Sequence, residues 1–366
     1  MELRAYITEG ARIFYKSLHR KIRGHREYSG NASEICRQVV NECWNSRFFQ
    51  TSTGHFCQFY SRDFGICADS LVRLGFRDKV ISTLDYALQR FSSHRRIAVA
   101  ITPKGRPFDF PCYGVDSVAF IVRALRAVGA GGLVEKHRVF LESEISRLHS
   151  GYIDQDTGLV KRDIVLSSMK DYSKRKSSCY DNSMVAMLKN DAEKLGLANP
   201  FRDYNYRRLM KEHFWNGSYF LDDLSGREYV AGDANIFPFW TGVIDSKSML
   251  KSSVDAIRQE GLDRPFPLKY TTSKVSKDVV WHEFLVRDWQ KDSIWTQLGI
   301  IYIGLLKGID KAYFSRSMKI FKRMIEQNRN YMEVFTSSGK PFKTLFYHSD
   351  TGMLWASNYL ALAEPQ

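Results

Sequence analysis

Apolar residues three and four positions apart mark nine stretches of this chain, at 33–49, 65–74, 78–91, 115–128, 133–148, 183–195, 204–214, 293–306 and 314–327. That spacing predicts helices, and they are of two kinds. In 79–88, Val80, Leu84 and Leu88 form one apolar stripe while charged groups occupy the opposite face, as in a helix with one side on a core. In 115–122 and 300–306 the residues are apolar nearly all round, as in a helix enclosed by others. Lighter helices alternating with greasier ones, about a dozen at mean helix length, fit helical hairpins arranged as an inner ring wrapped by an outer ring. The expected fold is therefore an all-α (α/α)6 toroid. Such a closed architecture accommodates 366 residues as one domain, 1–366, and no linker, low-complexity run or exact repeat interrupts it.

Composition narrows the function. Hydrophobic residues at 44% and charged residues at 26% describe a folded globule with a sizeable core. A net charge of +14, from 54 Lys and Arg against 40 Asp and Glu, raises the question of nucleic acid or anionic ligands. The basic residues, however, lie in short scattered groups such as 16–26, Arg95-Arg96 and Lys174-Arg175-Lys176, with no recognisable reader motif. A solvated basic surface is expected, and nucleic acid is not the expected partner. The cysteines at 36, 43, 57, 67, 112 and 179 form neither a Cys-x-x-Cys pair nor a Cys/His ladder, so no metal or cofactor is expected. The chain lacks the apolar stretch of a leader peptide and any run of about 18 apolar residues. The reading is a cytoplasmic protein with reduced thiols and no membrane partner, its oligomeric state left open.

Between the helices lie long stretches rich in Asp, Asn, Gly, Trp and Tyr, at 50–65, 102–114, 154–182, 216–241, 262–292 and 333–352. Long loops on a rigid scaffold commonly build the site, and these place it on one face. They carry the carboxylates Asp63, Asp116, Asp181, Asp288, Asp292 and Glu333. Hydrolysis of a glycosidic bond needs two such groups, an acid to protonate the departing oxygen and a carboxylate to activate water or attack the anomeric carbon. Asp63, in Arg62-Asp63-Phe64-Gly65 beside Tyr60, and Asp116, in Gly114-Val115-Asp116-Ser117, each stand where a helix opens and where an N-cap explains them equally well. Asp109 lies close to Asp116 and could share a pocket wall with it. Asp181 precedes Asn182 and Ser183, which can cap the next helix. That leaves its carboxyl to project from the loop with the raised pKa of a general acid. Glu333 sits among apolar and aromatic neighbours, the setting of a pocket-facing base.

These residues also carry a family resemblance. Tyr180-Asp181-Asn182-Ser183 resembles the Asp-Asn-Ser motif of trehalase-like and mannosylglycerate-hydrolase-like enzymes, and 333–339 is similar to their late Glu-x-Tyr-x-x-x-x-Gly segment. Arg62-Asp63-Phe64-Gly65 looks like the early sugar-gripping motif of that clan, which neutral invertases share. The stretch 231–240, with Asn235 and Trp240, resembles its Asn-x-x-Pro-Leu-Trp element, and 289–295, with Trp289, Asp292 and Trp295, its Trp-Arg-Gly-Pro-Ile-Trp element. The chain departs from the pattern at Gln290, Lys291 and Met184, and it lacks the Tyr of the late motif. Gly114-Val115-Asp116-Ser117 in turn resembles the acid motif of neutral invertases, so Asp116 competes with Asp181 for that role.

The resemblance implies a six-hairpin glycosidase acting by inversion, with Asp181 as general acid and Glu333 as general base. Tyr60, Arg62, Asp63, Asp109, Tyr180, Asn182, Asn235, Trp240, Trp289, Asp292 and Trp295 would hold a small carbohydrate. Glucosides, mannosides, disaccharides and glycosylglycerates remain open as substrates, the last through Arg62, Arg287 or Lys291. Two other readings stand beside it: a same-fold epimerase or phosphorylase, and a toroid that binds nucleic acid or another anionic ligand without catalysis.

Overall fold

The computed structural model describes residues 2–170, 174–272, 289–345 and 347–364. Its first helix, α1 (Glu2–Arg23), is followed by α2 (Ala32–Cys43), α3 (Ser61–Arg73), α4 (Arg77–His94), α5 (Val115–Val128), α6 (Gly131–Tyr152) and α7 (Cys179–Lys194). Then come α8 (Tyr206–Phe214), α9 (Phe237–Trp240), α10 (Lys247–Gln259), α11 (Thr296–Leu306), α12 (Lys311–Asn328) and α13 (Ala356–Ala363).

The packing of these helices closes a ring. Helix α3 packs on α5, α5 on α7, α7 on α9, α9 on α11, α11 on α13, and α13 back on α3. Five of the even-numbered helices flank that ring: α4 touches α3 and α5, α6 touches α5, α8 touches α7, α12 touches α11, and α2 joins α12 to α13. Burial follows the two sequence patterns. Val80, Leu84 and Leu88 of α4 are buried on one stripe, whereas α5 and α11 are buried along nearly their whole length. Inner helices approach closely where side chains are small. A Cβ on Gly65 would collide with the ring of Phe120, so glycine at this point of α3 lets α3 and α5 cross in contact. One hydrophobic cluster runs from Ile13 to Leu360.

Local signals fix the helix starts, and several differ from the periodicity. Asn31 caps α2 in a reciprocal box, accepting from the N–H groups of Ser33 and Glu34 while Glu34 accepts from Asn31. That helix ends at Cys43, short of the 49 that the apolar pattern reaches, because 44–49 folds back in a turn bridged between Trp44 and Phe49. Helix α7 starts at Cys179, ahead of the expected 183, with Ser178 as its cap. Helix α3 starts at Ser61. Neither Asp63 nor Asp116 is an N-cap: Tyr60 and Gly114 hold those positions, and Asp63, Asp116 and Asp181 all lie inside, in the first turn of α3, α5 and α7. Three successive inner helices thus present an aspartate at the same end, where the helix dipole favours negative charge.

Short strands dress that end. Strands β1 (Phe59–Tyr60), β2 (Ala100–Ile101) and β3 (Pro107–Phe108) form one antiparallel sheet directly ahead of α3. Strands β4 (Ile294–Trp295) and β5 (Val334–Phe335) form another directly ahead of α11, with Trp295 opposite Val334. Among the described residues, no helix is long and apolar enough to cross a membrane.

Candidate active site

At the aspartate-bearing end lies a cavity with ≈ 620 Å³ of empty space. Thr51, Phe56 and Tyr60 line it from the segment before α3, and Arg62 and Asp63 from the first turn of α3. Phe110 and Met169 come from the next two long loops, Tyr270, Trp289 and Gln290 from 262–292, Trp295 and Gln297 from the β4–α11 junction, and Glu333, Met353 and Trp355 from the C-terminal segment. The 216–241 segment supplies none of these lining residues. The walls are aromatic: ring centroids of Trp289 and Trp295 lie 5.0 Å apart, those of Trp289 and Tyr347 5.4 Å, and those of Tyr270 and Trp295 5.8 Å. Trp295 Nε1 donates to the Trp289 carbonyl at 2.9 Å, fixing one indole against the other. Flat apolar faces with polar edges suit the C–H faces of a sugar ring.

Glu333 is held in that wall by β5 and α11. Its carbonyl accepts from the Thr296 N–H at 3.2 Å and the Thr296 hydroxyl at 3.0 Å. Its buried carboxyl accepts the Tyr347 hydroxyl at 2.6 Å and the Asp350 N–H at 2.8 Å, both on Oε2. Oε1 has no hydrogen-bond partner among the described residues and is the oxygen left for water or substrate. Burial pushes the carboxyl up to about 8, Asp350 and Asp63 add to the rise, and the two donors oppose it.

Asp63 is the second carboxyl lining the cavity. Its Oδ1 accepts from Trp355 Nε1 at 2.8 Å. Arg62, beside it, donates through Nε to Oδ2 of Asp116 at 2.6 Å, and the hydroxyl of the fully buried Tyr180 donates to the same oxygen at 2.7 Å. Asp116 therefore stands behind Arg62, fully buried, and is absent from the cavity lining.

Asp181 lines a smaller cavity, with ≈ 270 Å³ of empty space, among Ser168, Arg175, Ser177 and Ser178. The two spaces are separate but lined by consecutive residues, Ser168 in the smaller and Met169 in the larger. Oδ2 of Asp181 accepts the Ser178 hydroxyl at 2.6 Å and Oδ1 the Ser168 hydroxyl at 3.0 Å. Burial pushes this carboxyl up to about 6 against the opposing pull of Arg175. Arg175 is itself fixed from behind: Nη2 donates to Ser168 Oγ at 2.6 Å, while Nη1 meets Asp222 at 3.1 Å and Asp233 at 2.8 Å. Lys170 joins the same cluster at 3.0 Å from Asp222. The basic triplet 174–176 is thus not uniformly solvated, for Arg175 turns into the core between the exposed Lys174 and Lys176.

Neither a family model nor a curated protein sequence matches the chain. Solved structures do. A wild-type glycosidase superposes with a TM-score of 0.67 at 12% identity over 91% of this chain and 96% of its own. A rhamnosidase from Klebsiella oxytoca with rhamnose bound gives 0.63 at 11% over 92% of this chain and 64% of its own. The GH63 mannosylglycerate hydrolase from Thermus thermophilus, in complex with glucose, gives 0.61 at 9% over 91% and 99%. The chain has the six-hairpin glycosidase fold.

Within this six-hairpin fold the residues expected to form the site separate into two groups. Tyr60, Arg62, Asp63, Trp289, Trp295 and Glu333 meet in the larger cavity. Asn182, Asn235, Asp109 and Trp240 do not line it, and each has a structural occupation instead. Asn182 ties α7 to its preceding loop through Val160 N, Ser177 Oγ and Ser178 O. Asn235 clamps the turn ahead of α9 through both backbone groups of Phe220 and the Ala231 carbonyl. Asp109 pairs with Arg96 at 2.6 Å and caps the N–H of Val99. Trp240 lies under Arg123, whose guanidinium is 4.2 Å from the ring centre, and Arg123 is two turns along α5 from Asp116. Asp292 is half-buried with its charge beside Lys269. Arg287 and Asp288 lie outside the described residues. Among the described residues, no group of three His, Cys, Asp or Glu side chains is arranged to hold a metal ion. Sequence reasoning missed Gln297, Tyr270, Trp355, Tyr347 and Asp350; of these only the tryptophan carried a signal, as one of seven in the chain.

Proposed function

We propose that this protein is an inverting glycoside hydrolase acting on a small glucoside, mannoside or disaccharide. The observation that carries the reading is Glu333, a buried carboxyl in an aromatic-walled cavity, with both of its structural donors on one oxygen and the other left to a reacting partner. In the proposed mechanism Glu333 takes a proton from the attacking water, and Asp181 protonates the departing glycosidic oxygen. Inversion needs about 6.5–9.5 Å between the two carboxyls when sugar and water are bound. Trp289 and Trp295 stack on the sugar, and Asp63 and Arg62 accept and donate to its hydroxyls. Asp116 holds Arg62 and is a positioning residue in this reading, which leaves the acid's role to Asp181.

The productive pair has Asp181 protonated and Glu333 ionised. Burial favours the proton on both, more strongly on Glu333, so the empty site holds that pair as a minority. A water bound at Oε1 would solvate the Glu333 carboxylate and raise that share. The test is a panel of aryl glycosides and disaccharides offered to the wild-type chain, Glu333→Gln and Asp181→Asn. Sugar release by the wild type alone, with each variant folded and slowed at least about a thousandfold, supports the reading. Full activity in either variant removes that residue from the mechanism, and phosphate-dependent release would make the protein a phosphorylase.

A further inference from the structure

Helix α1 belongs neither to the inner ring nor to the helices flanking it, yet its Arg20 reaches the layer beneath the site. Arg20 Nη1 donates to Asp350 Oδ1 at 2.5 Å and to the Thr351 hydroxyl at 2.7 Å, across 330 positions of chain. The Asp350 carboxylate is fully buried and accepts the N–H groups of His55 at 3.0 Å and Phe56 at 2.9 Å, and also the Ser52 hydroxyl. The N–H of the same aspartate donates to Oε2 of Glu333. Tyr347, the other donor on that oxygen, lies 3.1 Å from His55 Nε2, and His55 Nδ1 lies 3.2 Å from Asp350 Oδ1. Glu333, Tyr347, His55 and Asp350 therefore close a buried ring, with Arg20 as the cation in contact with it.

We infer that Arg20 is a positioning residue for Glu333: by neutralising Asp350 it sets how tightly Glu333 holds its proton, so α1 completes the active site from outside the toroid. The inference rests on the hydrolase reading above. The groups facing Glu333 are Asp350, Tyr347 and Asp63; those facing Asp350 are Arg20 and His55; and His55 is faced in turn by Arg12 and His348. Burial lowers His55 to about 4, which leaves it neutral where Glu333 titrates. The charges that count are then Arg20, Asp350 and Asp63. Asp350 favours the proton on Glu333, and Arg20, in contact with the Asp350 carboxylate, opposes that push.

Two substitutions should consequently act with opposite sign. Arg20→Met leaves Asp350 uncompensated and raises the proton affinity of Glu333. Asp350→Asn leaves Arg20 uncompensated and lowers it. General loosening of the site would move both the same way. The measurement is the titration of Glu333 by 13C NMR in the full chain carrying glutamate labelled at Cδ, assigned with Glu333→Gln, alongside the alkaline limb of kcat/KM on a substrate found in the panel. We expect a midpoint about one pH unit higher in Arg20→Met, about tenfold in proton affinity, and a lower one in Asp350→Asn, with Arg20→Lys at the wild-type value. Arg20→Gln, which drops the charge but keeps a donor, serves if Arg20→Met does not fold, and should also move upward. Shifts of the same sign in both charge variants, or none in either, would overturn the inference. The NMR titration needs no substrate, so a wild-type chain that hydrolyses nothing would sink the hydrolase reading and leave this result readable.

Discussion

The backbone N–H of Glu333 donates to the carbonyl of Asp350 at 2.9 Å, and the N–H of Asp350 donates back to Oε2 of Glu333 at 2.8 Å. Two ends of one long loop are thus tied by a reciprocal pair that involves a single side chain. The carboxyl of Glu333 is positioned largely by backbone geometry, which no substitution at position 350 other than proline removes. What a substitution there changes is charge.

The pH dependence of hydrolysis follows from the two carboxyls. Asp181 releases its proton near pH 6 and Glu333 near pH 8, so kcat/KM should rise to about pH 6, run level, and fall above about pH 8. Raising the proton affinity of Glu333 moves the alkaline limb upward and lowers the plateau by the same factor if Glu333 is the base. If Glu333 were the acid, the limb would move and the plateau would stay. Profiles of wild type and Tyr347→Phe, which removes a donor from the carboxylate, measure both quantities.

Glu333 should weaken the fold at any pH where the unfolded chain ionises it and the folded chain keeps its proton. Its folded value of about 8 lies above the ordinary 4.5, so the stability associated with its proton is complete below pH 4.5 and is lost as pH rises towards 8. The cost at pH 7 is about 3 kcal/mol. Glu333→Gln should accordingly raise Tm at pH 7 and leave it nearly unchanged at pH 4, as thermal unfolding at the two pH values will show.

Ser178 serves two groups of one neighbour with one hydroxyl, accepting the Asp181 N–H at 3.0 Å as the cap of α7 and donating to the Asp181 carboxylate at 2.6 Å. Ser178→Ala should cost about 1 kcal/mol of stability from the lost cap. It should also move the acidic limb of activity upward, because the ionised form of Asp181 loses a donor. Denaturant unfolding and a pH profile of the same variant read the two effects separately.

The crossing of α3 and α5 has no room for a methyl group at Gly65. Gly65→Ala should destabilise the protein by about 1–3 kcal/mol despite its better helix propensity, visible as a lower Tm with unchanged helical content.

Much of the toroid was legible in the chain because its strongest helices are continuous and apolar. The stretch 115–128 coincides with α5, since all-round burial leaves few polar positions inside it to blur the pattern. Helices α9 and α13 escaped, the first because Phe237–Trp240 is a single turn and the second because it is short and rich in small residues. Helix α1 escaped because its basic residues read as solvated surface, and nothing local says that Arg20 is spoken for by an aspartate 330 positions away. The site divides in the same way. Arg62, Asp63, Trp289, Trp295 and Glu333 announce themselves by residue type and setting. Asn235 and Trp240 carry equally suggestive types, but their partners, Phe220 and Arg123, are contacts that only the folded chain reveals.

The most direct test of the central claim is the configuration of the sugar when it is first released, followed by 1H NMR of the anomeric proton during hydrolysis of a substrate from the panel. A product that appears first with inverted configuration, and that Glu333→Gln fails to form, is the result predicted for a base-activated water. Release with retained configuration would contradict Glu333 as the base, and no release from any member of the panel would contradict the assignment of hydrolysis itself.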